Sequence, residues 1–160
     1  MTQDIQIIQM TEADLQSVYE LVQNTIQVSY YKVYPVEAIE FFKNHHRKEN
    51  ILNDSIAGYT AIAESNGQIL GTGTLLGTNV RRVFVNPTHQ HKGIGKLIVY
   101  ELERKAELEG LFTLDLSSSL VSRQFWESVG FVLSKEDFLP VRNGKKLLFY
   151  EMVKTMRGSH

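Results

Sequence analysis

The chain has 160 residues, and its 17 Lys and Arg nearly balance its 18 Asp and Glu, for a formal net charge of −1 at pH 7. This length predicts one domain with a buried core, and the small net charge argues against a nucleic-acid binder that relies on bulk electrostatics. The absence of cysteine excludes disulfides, thiolate metal sites and a cysteine nucleophile. No apolar run approaches the roughly 20 residues of a membrane span, and the N-terminus lacks the pattern of a signal peptide. We therefore expect a cytoplasmic protein.

The first third of the chain is predicted to hold a short strand and two helices. The strand covers residues 5–8. Residues 11–14 form a capping-box pattern, and apolar residues at helical spacing continue to about Thr25. Pro35 can serve as the first residue of a second helix. The charged segment 47–54 is predicted to be a solvated helix end or a loop.

The middle of the chain predicts an antiparallel hairpin followed by a third strand. The two hairpin strands, 59–64 and 69–76, are joined by the turn-forming pair Asn66-Gly67. Residues 77–79 turn the chain again, into a strand at 80–85. Arg81 and Arg82 alternate along this strand, so only one is expected to face a bound substrate and the other to be a solvated charge.

A long helix at 96–109 and a further strand at 111–116 are predicted next, with Gly110 ending the helix. Because a helix connects them, this strand should lie parallel to the one at 80–85 through a right-handed crossover. Residues 117–119 are three serines and are predicted to be a polar break before a short helix.

The last quarter of the chain predicts that short helix, ending at Val129, and two final strands. One strand begins at 131–133, and the other covers 146–153 after an Asn143-Gly144 turn. Residues 157–160 resemble the remnant of an expression tag. We expect one α/β domain with a mixed sheet over the preceding 156 residues.

A glycine turn between the strand at 80–85 and the long helix indicates an anion site. Pro87 stops the strand, since it has no N–H to give to a ladder. Gly93-Ile94-Gly95 then leads into the helix, whose unpaired N–H groups and dipole favour a phosphate. Glycines also remove the Cβ atoms that would keep a phosphate away from the backbone.

Two motifs, in the correct order and separation, resemble the signatures of the GCN5-related N-acetyltransferases. The first is Val85-Asn86-Pro87 followed by Gln90-His91-Lys92-Gly93-Ile94-Gly95. The second reads Ser119, Ser122, Phe125-Trp126 and Gly130-Phe131. The ending Met152-Val153-Lys154 is also similar to the usual close of that family.

This resemblance implies a single-domain acyl-CoA N-acyltransferase fold, with a mixed sheet of about seven strands and a splay between the fourth and fifth. It implies transfer of the acetyl group of acetyl-CoA to a primary amine by direct attack. The acceptor would be a small-molecule or protein amine, and the protein a monomer or homodimer, without metal, nucleic acid or membrane partners. A catalytically inactive CoA-binding sensor or interaction module is the alternative.

The resemblance also implies which residues hold the cofactor. They include the pyrophosphate cradle at the glycine turn and the strand edge that pairs with the pantetheine arm. The full expected set is Val83, Phe84, Val85, Gln90, His91, Lys92, Gly93, Ile94, Gly95, Lys96, Ser119, Ser122, Phe125 and Trp126. The backbone N–H of Val85 is the expected oxyanion donor.

The expected catalytic acid and base stay open. Trp126 stands where relatives often carry a tyrosine acid, and an indole N–H does not transfer its proton at neutral pH. Candidate acids are Ser119, Ser122 and Tyr150; candidate bases are Glu64, Asp115 and His89. Three tyrosines, Tyr30, Tyr31 and Tyr34, either line the acceptor pocket or simply cover the sheet.

Overall fold

The computed structural model describes residues 4–156, so the predicted tag remnant at 157–160 lies outside the described residues. The strands are β1 (Gln6–Gln9), β2 (Tyr59–Ser65), β3 (Gln68–Leu76), β4 (Asn79–Val85), β5 (Thr113–Ser119), β6 (Val132–Pro140) and β7 (Lys146–Thr155). The helices are α1 (Leu15–Tyr30), α2 (Val36–His45), α3 (Lys48–Ala57), α4 (Ile94–Leu108) and α5 (Arg123–Ser128).

All seven strands form one mixed sheet in the order β1-β2-β3-β4-β5-β7-β6. The β4–β5 pair is parallel, and the other pairs are antiparallel. The predicted α/β domain with a seven-stranded mixed sheet is therefore confirmed. None of the helices between residues 4 and 156 combines the length and apolar character that a membrane crossing needs.

Two apolar clusters pack on the sheet, and most of the burial that stabilises the fold lies in them. One is centred on α4 and includes Ile98, Leu102 and Phe131, all fully or almost fully buried. The other is centred on α1 and includes Val22 and Ile26. The helices are therefore held by apolar stripes at the spacing that the sequence shows.

The strands β4 and β5 separate almost as soon as they meet. Their register contains one pair, Asn79↔Asp115, supported by a 3.0 Å hydrogen bond from the Asp115 N–H to the Thr78 carbonyl. The Asn79 amide also donates to Asp115 Oδ1 at 2.8 Å. Beyond this pair the sheet is open between the two strands, which is the splay that the resemblance implies.

A β-bulge interrupts β4 at Arg82. The register with β3 passes from Thr72↔Phe84 to Thr74↔Arg81, so that two residues of β4 oppose one of β3. Arg82 adopts a φ of 56°, a left-handed conformation that costs a non-glycine residue roughly 1–2 kcal/mol. The expectation that only one of the two arginines faces the substrate side is wrong, because the bulge breaks the alternation and turns both toward α3.

Two predicted boundaries in the first third of the chain are wrong. Helix α1 continues past Thr25 to Tyr30, since Ile26 and Tyr30 extend its buried stripe by another turn. The segment predicted as a solvated end or loop forms α3, which buries Ile51 and uses Asp54 in an ion pair. Its low amphipathicity hides it from an analysis of periodicity.

The predicted polar break at the three serines is also wrong. Residues 117–119 are the end of β5, where they pair with β7 from Glu151 to Phe149. Ser118 and Ser119 are buried. Pairing with β7 outweighs the weak strand preference of serine, so β5 continues past residue 116. Asn79, predicted to lie in a turn, begins β4 for the same reason: its pairing with Asp115.

Candidate active site

The α4 N-terminus is built by a loop with few degrees of freedom. Gly93 precedes the helix with a φ of 83°, and α4 begins at Ile94, two residues before the predicted start. The Asn86 side chain accepts from the Thr88 N–H at 3.0 Å. Gln90 donates from Nε2 to the Val85 carbonyl at 3.1 Å. The turn therefore positions the first N–H groups of α4, which have no partner within the helix, beside the end of β4.

The two glycines of the turn are needed for different reasons. A Cβ on Gly93 would meet nothing within 4 Å, so its requirement is the positive φ. A Cβ on Gly95 would lie 2.9 Å from Phe125 Cε1, so its requirement is close packing of α4 on α5. Phe125 in turn packs edge to face on Trp126, with ring centroids 5.0 Å apart.

A first cavity of about 600 Å³ extends from this turn along β4. It brings together twelve of the fourteen expected cofactor-binding residues: Val83, Phe84, Val85, Gln90, His91, Gly93, Ile94, Gly95, Lys96, Ser122, Phe125 and Trp126. Lys92 is exposed outside it, and Ser119 lines a second cavity. Thr25 and Ser29 also line the first cavity. Sequence analysis did not single them out, since Thr25 stood at its predicted end of α1 and Ser29 lay beyond that end.

The Val85 backbone faces the open side of β4. Asn86 donates its N–H to the Leu70 carbonyl of β3 at 2.8 Å, and Val85 pairs with Gly71. In an antiparallel ladder the residue before a bonded one directs its N–H and C=O away from that partner strand. The Val85 N–H therefore points into the splay, as an oxyanion donor must.

A second cavity, of about 350 Å³, lies on the other side of Phe84. It shares five residues with the first cavity, namely Tyr30, Val83, Phe84, Ser122 and Trp126. The two cavities thus have a common wall, which lies beside the splay. A molecule in the first cavity and a molecule in the second can therefore approach each other at this wall.

Tyr30 is the titratable side chain at that common wall. It is buried, and this burial raises the pKa of its phenol, against smaller lowering effects of the nearby Ser119 and Ser122 hydroxyls. Those two hydroxyls lie 3.1 Å apart. Sequence analysis names Tyr30 among three candidates for the acceptor pocket, and the α1 stripe through Ile26 at helical spacing is the signal that separates it from the other two.

The other two tyrosines predicted for the acceptor pocket lie elsewhere. Tyr34 is buried in the α1-side cluster, where its hydroxyl donates to the Leu148 carbonyl at 2.7 Å and accepts from the Leu120 N–H at 2.8 Å. Burial raises its pKa. Tyr31 is 53% exposed. Of the three, Tyr30 alone lines the cavities.

A buried polar network lies against the second cavity. Arg82 donates from Nε to His46 Nδ1 at 2.9 Å and from Nη2 to Asp54 at 3.0 Å. Arg81 reaches the same Asp54 oxygen at 3.4 Å. Burial, and then the charge of Arg82, hold the pKa of His46 well below its ordinary value of 6.5. His46 is therefore neutral, and because Nδ1 accepts, its proton is on Nε2.

Three of the six predicted acids and bases, Glu64, Asp115 and Tyr150, are not brought to the cavities, whereas Ser119, Ser122 and His89 line them. Glu64 lies in β2, separated from β4 by β3. Asp115 is bound to Thr78 and Asn79, at the end of β4 opposite Val85. Tyr150 lies under the Arg123 guanidinium, 4.9 Å from it. His89 lines the first cavity, and its ring bonds the Thr88 hydroxyl.

No cluster of three or more His, Asp or Glu residues suited to a metal occurs within the described part of the chain, residues 4–156. The site therefore offers hydrogen-bond donors, a phenol and guanidinium groups. These groups can bind an anion, polarise a carbonyl and supply a proton.

Comparison with protein families identifies a match over most of the chain. Residues 30–156 match the model of an acetyltransferase (GNAT) domain. No curated protein matches the chain significantly.

Solved structures reproduce the architecture at low sequence identity. A GCN5-related N-acetyltransferase from Rhodopseudomonas palustris superposes with a TM-score of 0.87 at 19% identity, covering 98% of this chain and 99% of that one. PaiA N-acetyltransferase of Thermoplasma acidophilum, in complex with coenzyme A, gives 0.76 at 20%, covering 95% and 99%. YncA of Salmonella typhimurium, with acetyl-CoA, gives 0.72 at 18%, covering 97% and 95%.

Proposed function

Because this chain belongs to the GNAT family of acetyltransferases, we propose that it transfers the acetyl group of acetyl-CoA to a primary amine by direct attack. The observation that carries the proposal is the pair of cavities meeting at one wall. The first has the helix N-terminus that suits a pyrophosphate. The second, of about 350 Å³, would accommodate the amine. With no cysteine in the chain, a ternary complex is favoured over a cysteine-bound acyl intermediate.

Acetyl-CoA is proposed to lie in the first cavity with its pyrophosphate on the N–H groups at the start of α4 and near Lys96. Its pantetheine arm would follow the open edge of β4, as an added strand does. The thioester would then lie beside Val85, whose N–H points into the splay. The N–H would stabilise the negative charge that develops on the carbonyl oxygen when the amine attacks.

Tyr30 is the proposed acid in place of the tyrosine that Trp126 replaces. A phenol is protonated at neutral pH at its ordinary pKa of about 10, and burial raises the pKa of Tyr30 further, so the proton is present when it is needed. As the carbon–sulfur bond breaks, the thiolate takes the phenolic proton. The new amide nitrogen loses one proton, which returns to the phenolate through the Ser119 and Ser122 hydroxyls. Atoms and charge balance, with free CoA thiol as the product.

Thiol release tests the proposed activity directly. The protein is incubated with acetyl-CoA and a panel of amines, and free thiol is followed with a chromogenic disulfide. We expect release that depends on an amine. CoA binding by calorimetry, combined with no amine-dependent release across the panel, would instead support the alternative of a CoA-binding module without catalysis.

A further inference from the structure

We propose that the second cavity selects a small acceptor that carries a carboxylate besides its amine, and that Arg81 and Arg82 bind this carboxylate. The inference rests on the proposed acetyl transfer and names its substrate class. It is derived from the charge balance of the second cavity, a feature independent of the cofactor site.

The β4 bulge creates the cationic side of this cavity. In a regular strand, neighbouring side chains point to opposite faces. Here the left-handed φ of Arg82 breaks that alternation, and both guanidinium groups reach Asp54, at 3.4 Å and 3.0 Å. Both arginines line the second cavity. A strained backbone at a non-glycine residue persists when surrounding contacts hold it, and such strain concentrates at functional sites.

Positive charge exceeds negative charge at this wall. Asp54 is the carboxylate paired with the two guanidinium groups, which leaves about one net positive charge. His45 and His46, which also face the cavity, have pKa values lowered by burial and by the arginines, so they stay neutral and add no charge of their own. Among the residues described, Asp and Glu are absent from the cavity lining.

Arg82 also has hydrogen-bonding capacity that its neighbours do not use. Its side chain is 2% exposed, and Nη1 is buried without a hydrogen-bond partner among the described residues. A buried donor of this kind is costly when unsatisfied. A carboxylate is the group that suits it, because guanidinium and carboxylate form charge-assisted and often paired hydrogen bonds.

The remaining walls of the second cavity are apolar and indicate which kind of group connects the amine and the carboxylate of the acceptor. Phe41, Phe42 and Phe149 line the cavity together with Leu139 and Leu147. These side chains favour an apolar or aromatic group. A second ammonium group, as in a polyamine, would meet the arginines without a carboxylate partner. The cavity therefore favours an amino acid with an apolar or aromatic body and disfavours a diamine.

Matched amines test this selection. Initial rates are compared for ε-aminocaproate, hexylamine and hexamethylenediamine, which differ in one terminal group, and for phenylalanine against phenethylamine. We expect the carboxylate-bearing member to have a KM at least about tenfold lower than its neutral partner. Arg81→Met should remove this difference without changing affinity for CoA. Arg47→Met, a control on an exposed arginine that contacts Glu49, should retain it.

A binding measurement separates this inference from the proposed activity. Phenylpropionate and phenylpropanol are titrated into the full chain by calorimetry, and Arg81→Met should abolish the binding of phenylpropionate. If phenylpropionate binds in this way but no amine is acetylated, the anion site stands and the proposed activity fails. If neutral amines or the diamine are acetylated as well as the amino acids, or if phenylpropionate does not bind, the inference is overturned while acetyl transfer stands.

Discussion

Arg82 donates a hydrogen bond from Nε to His46 Nδ1 at 2.9 Å. The bond connects strand β4 to the end of α2. The bond requires a neutral imidazole. It also fixes the tautomer, with the proton on Nε2. The charge state of His46 and the position of the β4 bulge are therefore linked.

This link makes stability depend on pH. Burial and the charges of Arg82, His45 and Arg81 lower the pKa of His46 in the folded protein below the 6.5 of the unfolded chain. Between these two values the unfolded state binds more protons, so stability rises with pH. The contribution is complete above about pH 6.5, and it is lost as the pH falls toward the folded value.

Thermal melts from pH 8 to pH 5 check the sign of this effect. We expect Tm to fall below about pH 6.5 and the fall to be smaller in His46→Gln. His89→Gln, in the loop before α4, is the matched control and should retain the full dependence. A His46→Gln profile identical to that of the unsubstituted chain would contradict the assignment.

Gly93→Glu should abolish CoA binding and leave a folded domain. The left-handed φ of 83° costs a non-glycine residue roughly 1–2 kcal/mol, and the carboxylate would repel a pyrophosphate at the α4 N-terminus. Gly144→Glu is the control, since Gly144 has a φ of 69° and nothing within 4 Å of an added Cβ. It should lose similar stability and bind CoA normally in calorimetry.

Tyr30→Phe tests the proposed acid. We expect kcat to fall by roughly 10²-fold, in the range for loss of a general acid, with affinity for CoA little changed. Tyr31→Phe removes a hydroxyl from an exposed ring one residue further along the chain and should leave kcat unchanged. Equal rates in the two variants would exclude Tyr30 as the acid.

Tyr34→Phe should show the opposite pattern. The hydroxyl connects the Leu148 carbonyl and the Leu120 N–H, and removing it leaves both without this partner. We expect a loss of about 1–3 kcal/mol in the free energy of unfolding, measured by urea denaturation, with kcat near that of the unsubstituted chain. A large loss of kcat with normal stability would move Tyr34 into the catalytic site.

Much of the fold could be predicted from local signals, because strong periodicity, turns and glycines mark most of the elements. Helix α3 was missed because its charged sequence has a weak apolar stripe, and the β5 serines because their strand state depends on β7. The Arg82 bulge could not be found at all from alternation. The φ angle of Arg82 alone reverses the alternation of side chains along β4, and the amino-acid sequence carries no signal for that angle.

The candidate site divides along the same line. The residues expected to hold a cofactor lie in two short sequence motifs, so they can be predicted from the sequence alone. Tyr30, His46 and Arg82 come together through α1, α2 and β4, and their contacts depend on tertiary packing. The sequence could therefore nominate Tyr30 and the two arginines for the acceptor side, but it could not separate Tyr30 from Tyr31 and Tyr34 or bring both arginines to one cavity.

The single Asn79↔Asp115 pair has a consequence for cooperativity. It is a seam between an N-terminal meander, β1 to β4, and a C-terminal unit of β5, β7 and β6. Few backbone hydrogen bonds connect β4 to β5 along this seam. The two units are therefore held together mainly by α4 and the apolar clusters. Partial unfolding should follow this line, and a molecule bound across the gap would add contacts between the two units where the ladder supplies few.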